Sequence, residues 1–535
     1  MHRYGLSLQL KKSPYYVILF RWNILFKSIA KRMKGALEGA DEMAALKDLL
    51  QKIQYTCVQG NEETEITEVV YDSRKITEGC LFICIEGANF DGHTFAAEAA
   101  EKKAAALVVS KEVEVPESIT VIRVEDTRYA MAFISAAYFG NPAEKLKVIG
   151  ITGTKGKTTT TYLIKSILEH AGYKVGLIGT IETIIGDKHI HAQNTTPESF
   201  LLQKYFKEMA DAGLDAVVME VSSQGLKLHR TQGFVFDIGI FTNLEPDHIG
   251  PNEHESFEEY RMCKGLLFKQ CLKGIVNIDD KHCKEVVEGH TCDLETFGFS
   301  EEADLCAKQL ELVTKGGHIG VSFRLSGLLD FPVEVATPGR FSVYNALAAI
   351  AVCRHFNVDE ERIKAALLAA KVKGRIEMVK VSDDFTLMID YAHNAMSLES
   401  LLSTLKEYHP HRLICLFGCG GNRSRLRRYE MGEVSGKLAD LTIITSDNPR
   451  FEEPQAIIDD IKEGIGRTDG NYVEICDRKE AIAYAIDHGE PGDIIVLAGK
   501  GHEDYQEIKG VKYPMDERDL IRDILAERGR VDIGR

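Results

Sequence analysis

Paired cysteine motifs, internal repeats and low-complexity tracts are missing from this 535-residue chain, and tryptophan occurs once, at Trp22. The twelve cysteines are scattered. The closest pairs, Cys80/Cys84 and Cys415/Cys419, are separated by three residues with no histidine cluster after them. A zinc framework and a disulfide scaffold are therefore not expected, and reduced thiols suit a cytoplasmic protein. Positive charge is also in short supply. The 65 Lys+Arg against 81 Asp+Glu leave a formal net charge of −16, which argues against nucleic acid or an anionic membrane as partner. A local basic pocket for one phosphorylated ligand stays open. The opening segment reverses the pattern: up to Lys34 it holds eight Lys/Arg and no acid. Its apolar run, Tyr15 to Phe20, is broken by Arg21 and is too short to span a bilayer. Residues 1–43 read as an extension ahead of the fold or as a start codon assigned too early, with Met43 opening the folded part. A membrane-surface helix is the alternative.

The length predicts about three domains. Residues 44–146 alternate strands and helices: Ile66 to Tyr71 and Cys80 to Ile85 read as strands, Ala96 to Lys103 as a helix, and Ala106 to Val109 as a buried strand. Gly140-Asn141-Pro142 marks a boundary. Residues 147–373 open with a buried strand, a Gly-rich loop and an apolar-periodic helix stopping at Gly172. Later strands, Ala216 to Met219 and Ile238 to Phe241, imply a mostly parallel sheet. Residues 374–535 carry strands at 387–390, 413–417, 441–444 and 494–497 and read as a doubly wound α/β domain. The expected class is α/β throughout.

The sharpest chemical signal is Gly153-Thr154-Lys155-Gly156-Lys157-Thr158-Thr159. Glycines let backbone N–H groups approach phosphate oxygens, and the helix that follows adds its positive end. Lys157 would neutralise the terminal phosphates of ATP and Thr158 would offer a hydroxyl to Mg²⁺. The spacing is shorter than the strict Walker pattern, with Ile151 where the first glycine would stand. Glu220 and His248 each follow a strand of the same predicted sheet, where ligands of open α/β sheets collect. With Thr158 they form the candidate metal set, suited to a Mg²⁺ held largely by phosphates.

These residues, together with Asp72-Ser73-Arg74, Thr195-Thr196-Pro197, Thr242-Asn243-Leu244, Tyr344-Asn345-Ala346, Gly374-Arg375-Ile376-Glu377, Asp390-Tyr391-Ala392-His393, Asp447-Asn448-Pro449-Arg450 and Gly499-Lys500-Gly501-His502-Glu503, resemble the Mur ligases of bacterial cell-wall synthesis. The type most resembled extends UDP-N-acetylmuramoyl-L-alanyl-D-glutamate by a third amino acid. The resemblance implies a UDP-sugar-binding domain, a central ATPase and a C-terminal domain that closes over the site, acting as a monomer. It also implies residue roles. Ser73 would contact uridine, and Thr195, Thr196, Ser222 and Arg230 the diphosphate-sugar end. Asn345, Arg375, Asp390 and His393 would serve the nucleotide alongside the phosphate loop. Lys264 would carry a carbamate, and Lys157, Lys264, Glu220 and His248 would form the catalytic set.

For the acceptor amine, the resemblance offers meso-diaminopimelate or L-lysine, which differ by a distal carboxylate. The planar fork of Arg450 matches that carboxylate. Asp447, Asn448 and Glu503 could hold the ammonium, with Arg423 and Gly499 contributing. Diaminopimelate is thus the expected acceptor. The alternatives are L-lysine, a cyanophycin- or folate-type peptide ligase, and a non-catalytic nucleotide-sugar-binding protein. The chain departs from the family pattern at Lys155, Gln224, the loop after His248, and Asn394-Ala395.

Overall fold

A computed structural model describes residues 43–87, 90–247, 249–250, 253–315 and 318–529. The expectations for residues 1–42 and for His248 lie outside the described residues. The chain forms two compact units, divided between Tyr138 and Phe139.

The first unit is built on a five-stranded sheet. Its strands are β1 (Thr56–Gln59), β2 (Val69–Val70), β3 (Leu81–Ile83), β4 (Ala106–Val109) and β5 (Thr120–Arg123), in the order β1-β5-β4-β3-β2. Only β1 runs antiparallel. One face buries Phe82, Leu107, Val109 and Val121. The strand expected over 66–71 is two strands. Glu65–Ile66 pairs with Ala44–Ala45, whereas β2 pairs with β3. Between them the Thr67 N–H bonds the Gly79 carbonyl and the Glu68 carbonyl accepts from Leu81 N–H, so the backbone changes partner there. The helix expected to reach Lys103 stops at Glu101, with Lys103 in the left-handed region (φ 59°).

The second unit holds two larger sheets. The first has eleven strands: β6 (Lys147–Thr152), β7 (Val175–Ile178), β8 (Glu182–Ile185), β9 (Lys188–His191), β10 (Ala216–Glu220), β11 (Phe236–Phe241), β12 (Cys271–Asn277), β13 (Asp293–Gly298), β14 (Leu305–Lys315), β15 (His318–Gly327) and β16 (Pro332–Val335). Their order is β9-β8-β7-β10-β6-β11-β12-β13-β14-β15-β16. The stretch from β7 to β14 is parallel and both edges are antiparallel. Near-continuous apolar strands follow from burial on both faces. Ile149 and Ile151 pack with Ile164 and Ile167 of helix α1 (Lys157–His170), and Val148, Val217 and Met219 pack with Phe206 and Phe268 on the opposite side.

The other large sheet comprises β17 (Glu377–Val379), β18 (Thr386–Asp390), β19 (Leu413–Phe417), β20 (Leu441–Ile444), β21 (Tyr472–Glu474) and β22 (Ile494–Ala498), in the order β17-β18-β22-β19-β20-β21. It is parallel except for β17, and helices cover both faces as expected for a doubly wound domain. A separate hairpin, β23 (Tyr505–Ile508) and β24 (Val511–Pro514), follows it. The β15 end of the central sheet is tied to this domain. Ile319 enters the C-terminal core beside Leu401 and Leu405, and Tyr408 Oη donates to the Gly320 carbonyl at 2.6 Å. No helix among the described residues is long and apolar enough to cross a membrane.

Candidate active site

The strands β10, β6 and β11 lie side by side and end level, with Glu220 beside Ile151 and Phe241 beside Thr152. Three loops therefore leave the sheet at one edge. The loop after β6 is the phosphate-loop candidate, and α1 starts at Lys157. Gly153 (φ 149°) and Gly156 (φ 86°) adopt backbone that L side chains rarely take. Space forbids a side chain as well: a Cβ on Gly153 would stand 1.9 Å from Thr242 Oγ1, and one on Gly156 2.5 Å from Asn345 Oδ1. The segment after β11 braces the loop. Thr154 N–H donates to the Asn243 carbonyl (2.9 Å), Lys155 N–H to Asn243 Oδ1 (2.8 Å), and Thr242 Oγ1 to the Lys155 carbonyl (2.7 Å). Asn345, on the helix α2 (Arg340–Arg354), also accepts from Thr160 Oγ1 at 3.3 Å. Thr159 lies in the first turn of α1. Lys155 pairs with Glu245 at 2.7 Å, so this departure from the family pattern has its own partner.

Two lysines meet at this loop. Lys157 Nζ donates to the carbonyls of Gly153 (2.8 Å) and Thr154 (3.0 Å). Lys264, in the helix Phe257–Gly265, donates to the same Gly153 carbonyl at 2.9 Å and lies 4.4 Å from the Tyr260 ring centre. It is 1 % exposed. Burial pushes Lys157 below the ordinary lysine range, opposed by the Glu220 carboxylate. Burial, reinforced by the Lys157 charge, pushes Lys264 well below it.

Glu220 is the last residue of β10 rather than the first residue beyond it, because its backbone still pairs with Ile151. It is 1 % exposed. Its Oε1 accepts from Thr158 Oγ1 (2.9 Å) and Thr180 N–H (2.9 Å), and its Oε2 pairs with Thr180 Oγ1 (3.0 Å). Gly179 leaves room for it, since a Cβ there would meet Glu220 Oε1 at 2.6 Å. Thr158 and Glu220 thus form a contiguous oxygen pair beside Lys157. Such a set fits Mg²⁺, which takes one or two carboxylates and completes its shell with phosphate oxygens and water.

The sugar-end candidates join the same network. Thr195 Oγ1 is 3.0 Å from Thr180 Oγ1, and Thr196 Oγ1 is bonded to the Glu220 carbonyl (3.0 Å) and Ser222 N–H (2.9 Å). Arg230 donates to the Thr196 carbonyl at 3.1 Å and pairs with Glu198 at 2.8 Å, while its buried Nε has no hydrogen-bond partner among the described residues. Ser223 Oγ contacts Nε2 of the fully buried His254 at 2.8 Å. Ser73 belongs to the first unit and opens a 3-10 turn capped by Asp72.

From the C-terminal domain, Asp390 ends β18 and accepts from Ile376 N–H (2.9 Å) and Ala392 N–H (2.8 Å). Burial raises its carboxyl above the usual range. The Arg375 guanidinium lies 4.7 Å from the Tyr391 ring centre, which the His393 and His502 rings flank at 4.6 and 4.7 Å. The Arg375 guanidinium adds to the lowering of Lys157 that burial causes. Asn394, another departure, caps the helix α3 (Ala395–Lys406) by accepting from Ser397 N–H at 2.9 Å.

The amine-end candidates form a second cluster. Asn448 Nδ2 donates to Glu503 Oε2 (2.9 Å). Gly499 (φ 103°) keeps its backbone against Asp447 Oδ2. Arg450 donates from Nε to Glu507 (3.1 Å) and from Nη1 to the Gly421 carbonyl (2.7 Å). The more exposed Arg423 stands beside Arg450 across Gly420. A cavity of about 930 Å³ borders Arg450 on the hairpin side. Phosphate-loop residues do not line it, and it is not the nucleotide site.

Comparison with known proteins decides the family. Three profiles match in order: "Mur ligase family, catalytic domain" over residues 65–139, "Mur ligase middle domain" over 151–353 and "Mur ligase, glutamate ligase domain" over 374–501. The chain is 43 % identical over 487 residues to the UDP-N-acetylmuramoyl-L-alanyl-D-glutamate--2,6-diaminopimelate ligase of Clostridium perfringens, covering 90 % of this chain and 99 % of that one. It is 45 % identical over 485 residues to the similarly named ligase 1 of Clostridium acetobutylicum, with the same coverage. A solved structure of a UDP-N-acetylmuramoyl-L-alanyl-D-glutamate--2,6-diaminopimelate ligase superposes with a TM-score of 0.68 at 28 % identity, covering 91 % of this chain and 99 % of that one.

The chain belongs to the Mur ligase family. The phosphate-loop motif of this Mur ligase lies between a strand and a helix as its sequence implies, Glu220 falls one residue earlier than expected, and several groups that hold these motifs carry no sequence signal. Thr180 lies outside every motif quoted, and only the sheet order brings it to Glu220. Tyr260, one turn before Lys264 in the same helix, has its ring under Lys264 and its hydroxyl 3.1 Å from Thr154 Oγ1. Lys500 and Glu507 were not assigned at all.

Proposed function

We propose that this Mur ligase phosphorylates the D-glutamyl carboxylate of UDP-N-acetylmuramoyl-L-alanyl-D-glutamate with ATP and joins it to meso-2,6-diaminopimelate in the cytoplasm. The observation carrying the reading is the convergence of Lys157, Lys264, Thr158 and Glu220 at the level ends of β6 and β10, with the Asn448–Glu503–Arg450 cluster in the same unit. The names of the relatives point to the same pair of substrates.

In this reading Gly153 to Thr159 wrap the triphosphate. Lys157, freed from the loop carbonyls it now bonds, neutralises charge on the transferred phosphoryl group. Arg375, Asp390, His393 and Asn345 position the nucleotide. Thr158 and Glu220, with His248 assigned by its motif, would hold Mg²⁺, which would supply neutralisation of the phosphate charge. Catalysis is then positioning plus electrostatics. The carboxylate takes the γ-phosphoryl group, giving an acyl phosphate and ADP, and the amine displaces phosphate from the carbonyl. Closure of the C-terminal domain excludes water from the acyl phosphate. Thr195, Thr196, Ser222 and Arg230 hold the diphosphate-sugar end, and Ser73 is assigned the uridine by its motif. Lys264 carries a carbamate, because only a neutral amine adds CO₂ and burial favours that form here.

Arg450 selects the acceptor. Its Nη2 makes no hydrogen bond among the described residues, so one arm of the fork is available to a carboxylate. The test is an amine panel read by phosphate release. Turnover with diaminopimelate and little with L-lysine is expected, with the preference lost in Arg450→Ala. Turnover with L-lysine and none with diaminopimelate refutes the acceptor assignment.

A further inference from the structure

Lys500 is fully buried, an expensive place for an ammonium unless acceptors surround it. Here they do. Its Nζ donates to Glu503 Oε2 (2.9 Å), Asn448 Oδ1 (3.1 Å) and the Tyr505 carbonyl, and Asp447 lies 3.6 Å away. Asn448 is held from both sides, because its Oδ1 also accepts from Glu507 N–H at 2.9 Å while its Nδ2 donates to Glu503 Oε2. Glu503 Oε2 therefore receives both Lys500 and Asn448, and among the described residues no hydrogen bond reaches its Oε1. The carboxylate is presented with one fixed oxygen and one open one. The loops bearing the cluster are anchored by Arg478, 2 % exposed, which donates to the carbonyls of Ser446 and Ala498 and pairs with Glu517.

Among the six charged residues assigned to this cluster or touching it, the signs balance. Asp447, Glu503 and Glu507 contribute three negative charges, and Lys500, Arg450 and Arg423 three positive ones. A neutral site suits a distal end bearing both an ammonium and a carboxylate. An acidic site suits a distal end bearing an ammonium alone. Lys500 is the member of this set that is buried and touches both Glu503 and Asn448.

We infer that Lys500 is a specificity-determining positioning residue: it orients Glu503 so that Oε1 receives the substrate ammonium, and its charge tunes the site toward a zwitterionic rather than a cationic end. The inference rests on the acceptor reading above and extends it to a residue that need not touch the substrate.

The test measures kcat and KM for meso-diaminopimelate and for L-lysine in wild type, Lys500→Met and Asn448→Asp, at saturating ATP and UDP-sugar substrate, with melting temperature as the fold control. Lys500→Met is expected to raise KM for diaminopimelate while kcat changes only a few-fold. The kcat/KM ratio of diaminopimelate to L-lysine should fall by about tenfold or more, since one unit charge a few ångströms away through partly desolvated protein is worth at least that factor. Asn448→Asp changes the net charge of the cluster by the same single unit with Lys500 in place. It should shift the ratio in the same direction, which keeps the test readable if Lys500→Met fails to fold. Equal losses for both amines, or an unchanged ratio in a folded variant, overturn the inference while wild-type turnover of diaminopimelate leaves the acceptor reading standing. A wild type that uses L-lysine and not diaminopimelate overturns the acceptor reading and this inference with it.

Discussion

Replacing Glu220 by glutamine and by alanine separates its charge from its hydrogen bonds. Oε1 accepts from two donors, Thr158 Oγ1 and the Thr180 N–H, whereas Oε2 meets, among the described residues, only the Thr180 hydroxyl. A hydroxyl can reverse its role. In Glu220→Gln the amide oxygen can take the Oε1 position and the NH₂ can donate to Thr180 Oγ1, whose proton then turns to Thr195 Oγ1 3.0 Å away. The stability cost should stay under about 1 kcal/mol, because every buried group keeps a partner. Glu220→Ala strands the buried Thr180 N–H and the Thr158 hydroxyl, the Thr180 hydroxyl turning to Thr195, and should cost roughly 2–6 kcal/mol at about 1–3 kcal/mol per stranded group. Both variants lose the charge proposed to face Mg²⁺. Apparent Mg²⁺ affinity in each should fall by at least about 10- to 100-fold, the loss typical of a residue that merely supports a metal ligand. Urea unfolding, paired with phosphate release over a Mg²⁺ titration, reads both quantities. A Glu220→Gln enzyme that melts like Glu220→Ala refutes the hydrogen-bond accounting. One that retains wild-type Mg²⁺ dependence refutes the metal assignment.

Gly156→Ala should abolish measurable nucleotide binding by calorimetry, since its Cβ would sit 2.5 Å from Asn345 Oδ1 at a φ of 86°; near-normal affinity would mean the loop is not the phosphate cradle. Wild-type activity should drop in CO₂-free buffer and recover with bicarbonate, and ¹³C-bicarbonate should give a carbamate resonance that Lys264→Met lacks; activity indifferent to CO₂ contradicts the carbamate. Burial, with help from Arg375, pushes the His502 imidazole down to about 4. The unfolded chain, with its histidine near 6.5, therefore binds more protons between those values, and stability falls as pH drops through that window. His502→Gln should flatten the decline in melting temperature between pH 6.5 and 4, by an amount equivalent to at most about 3 kcal/mol; parallel pH profiles for the two proteins would exclude His502 as its source.

Much of the fold could be read from the chain because its strands carry their own signature. Uninterrupted runs such as Val148 to Ile151 and Ala216 to Met219 say that both sheet faces are covered, and turn residues bound them. Weak strands were harder. The segment 66–71 has the composition of one strand, but its two halves bond different neighbours, a choice made by partners distant in sequence. Glu220 was misplaced by a single residue for a similar reason, since strand length is set by how far the neighbouring strand continues.

The candidate site divides along the same line. Local chemistry is written into consecutive residues: glycines where backbone must approach phosphate, a lysine and threonine opening the helix, an arginine after Asn-Pro. These need only their neighbours in the chain to have meaning, so the motifs, the nucleotide chemistry and the acceptor expectation came from sequence. Which groups restrain those motifs is a matter of sheet order and burial. Thr180 reaches Glu220 because β7 lies next to β10, Tyr260 comes under Lys264 because one helix presents both toward the loop, and Lys500 is enclosed by Asn448, Glu503 and Tyr505 because the β22 and β20 loops meet. Contacts between residues far apart along the chain depend on the three-dimensional path of the backbone, and no local pattern encodes that path.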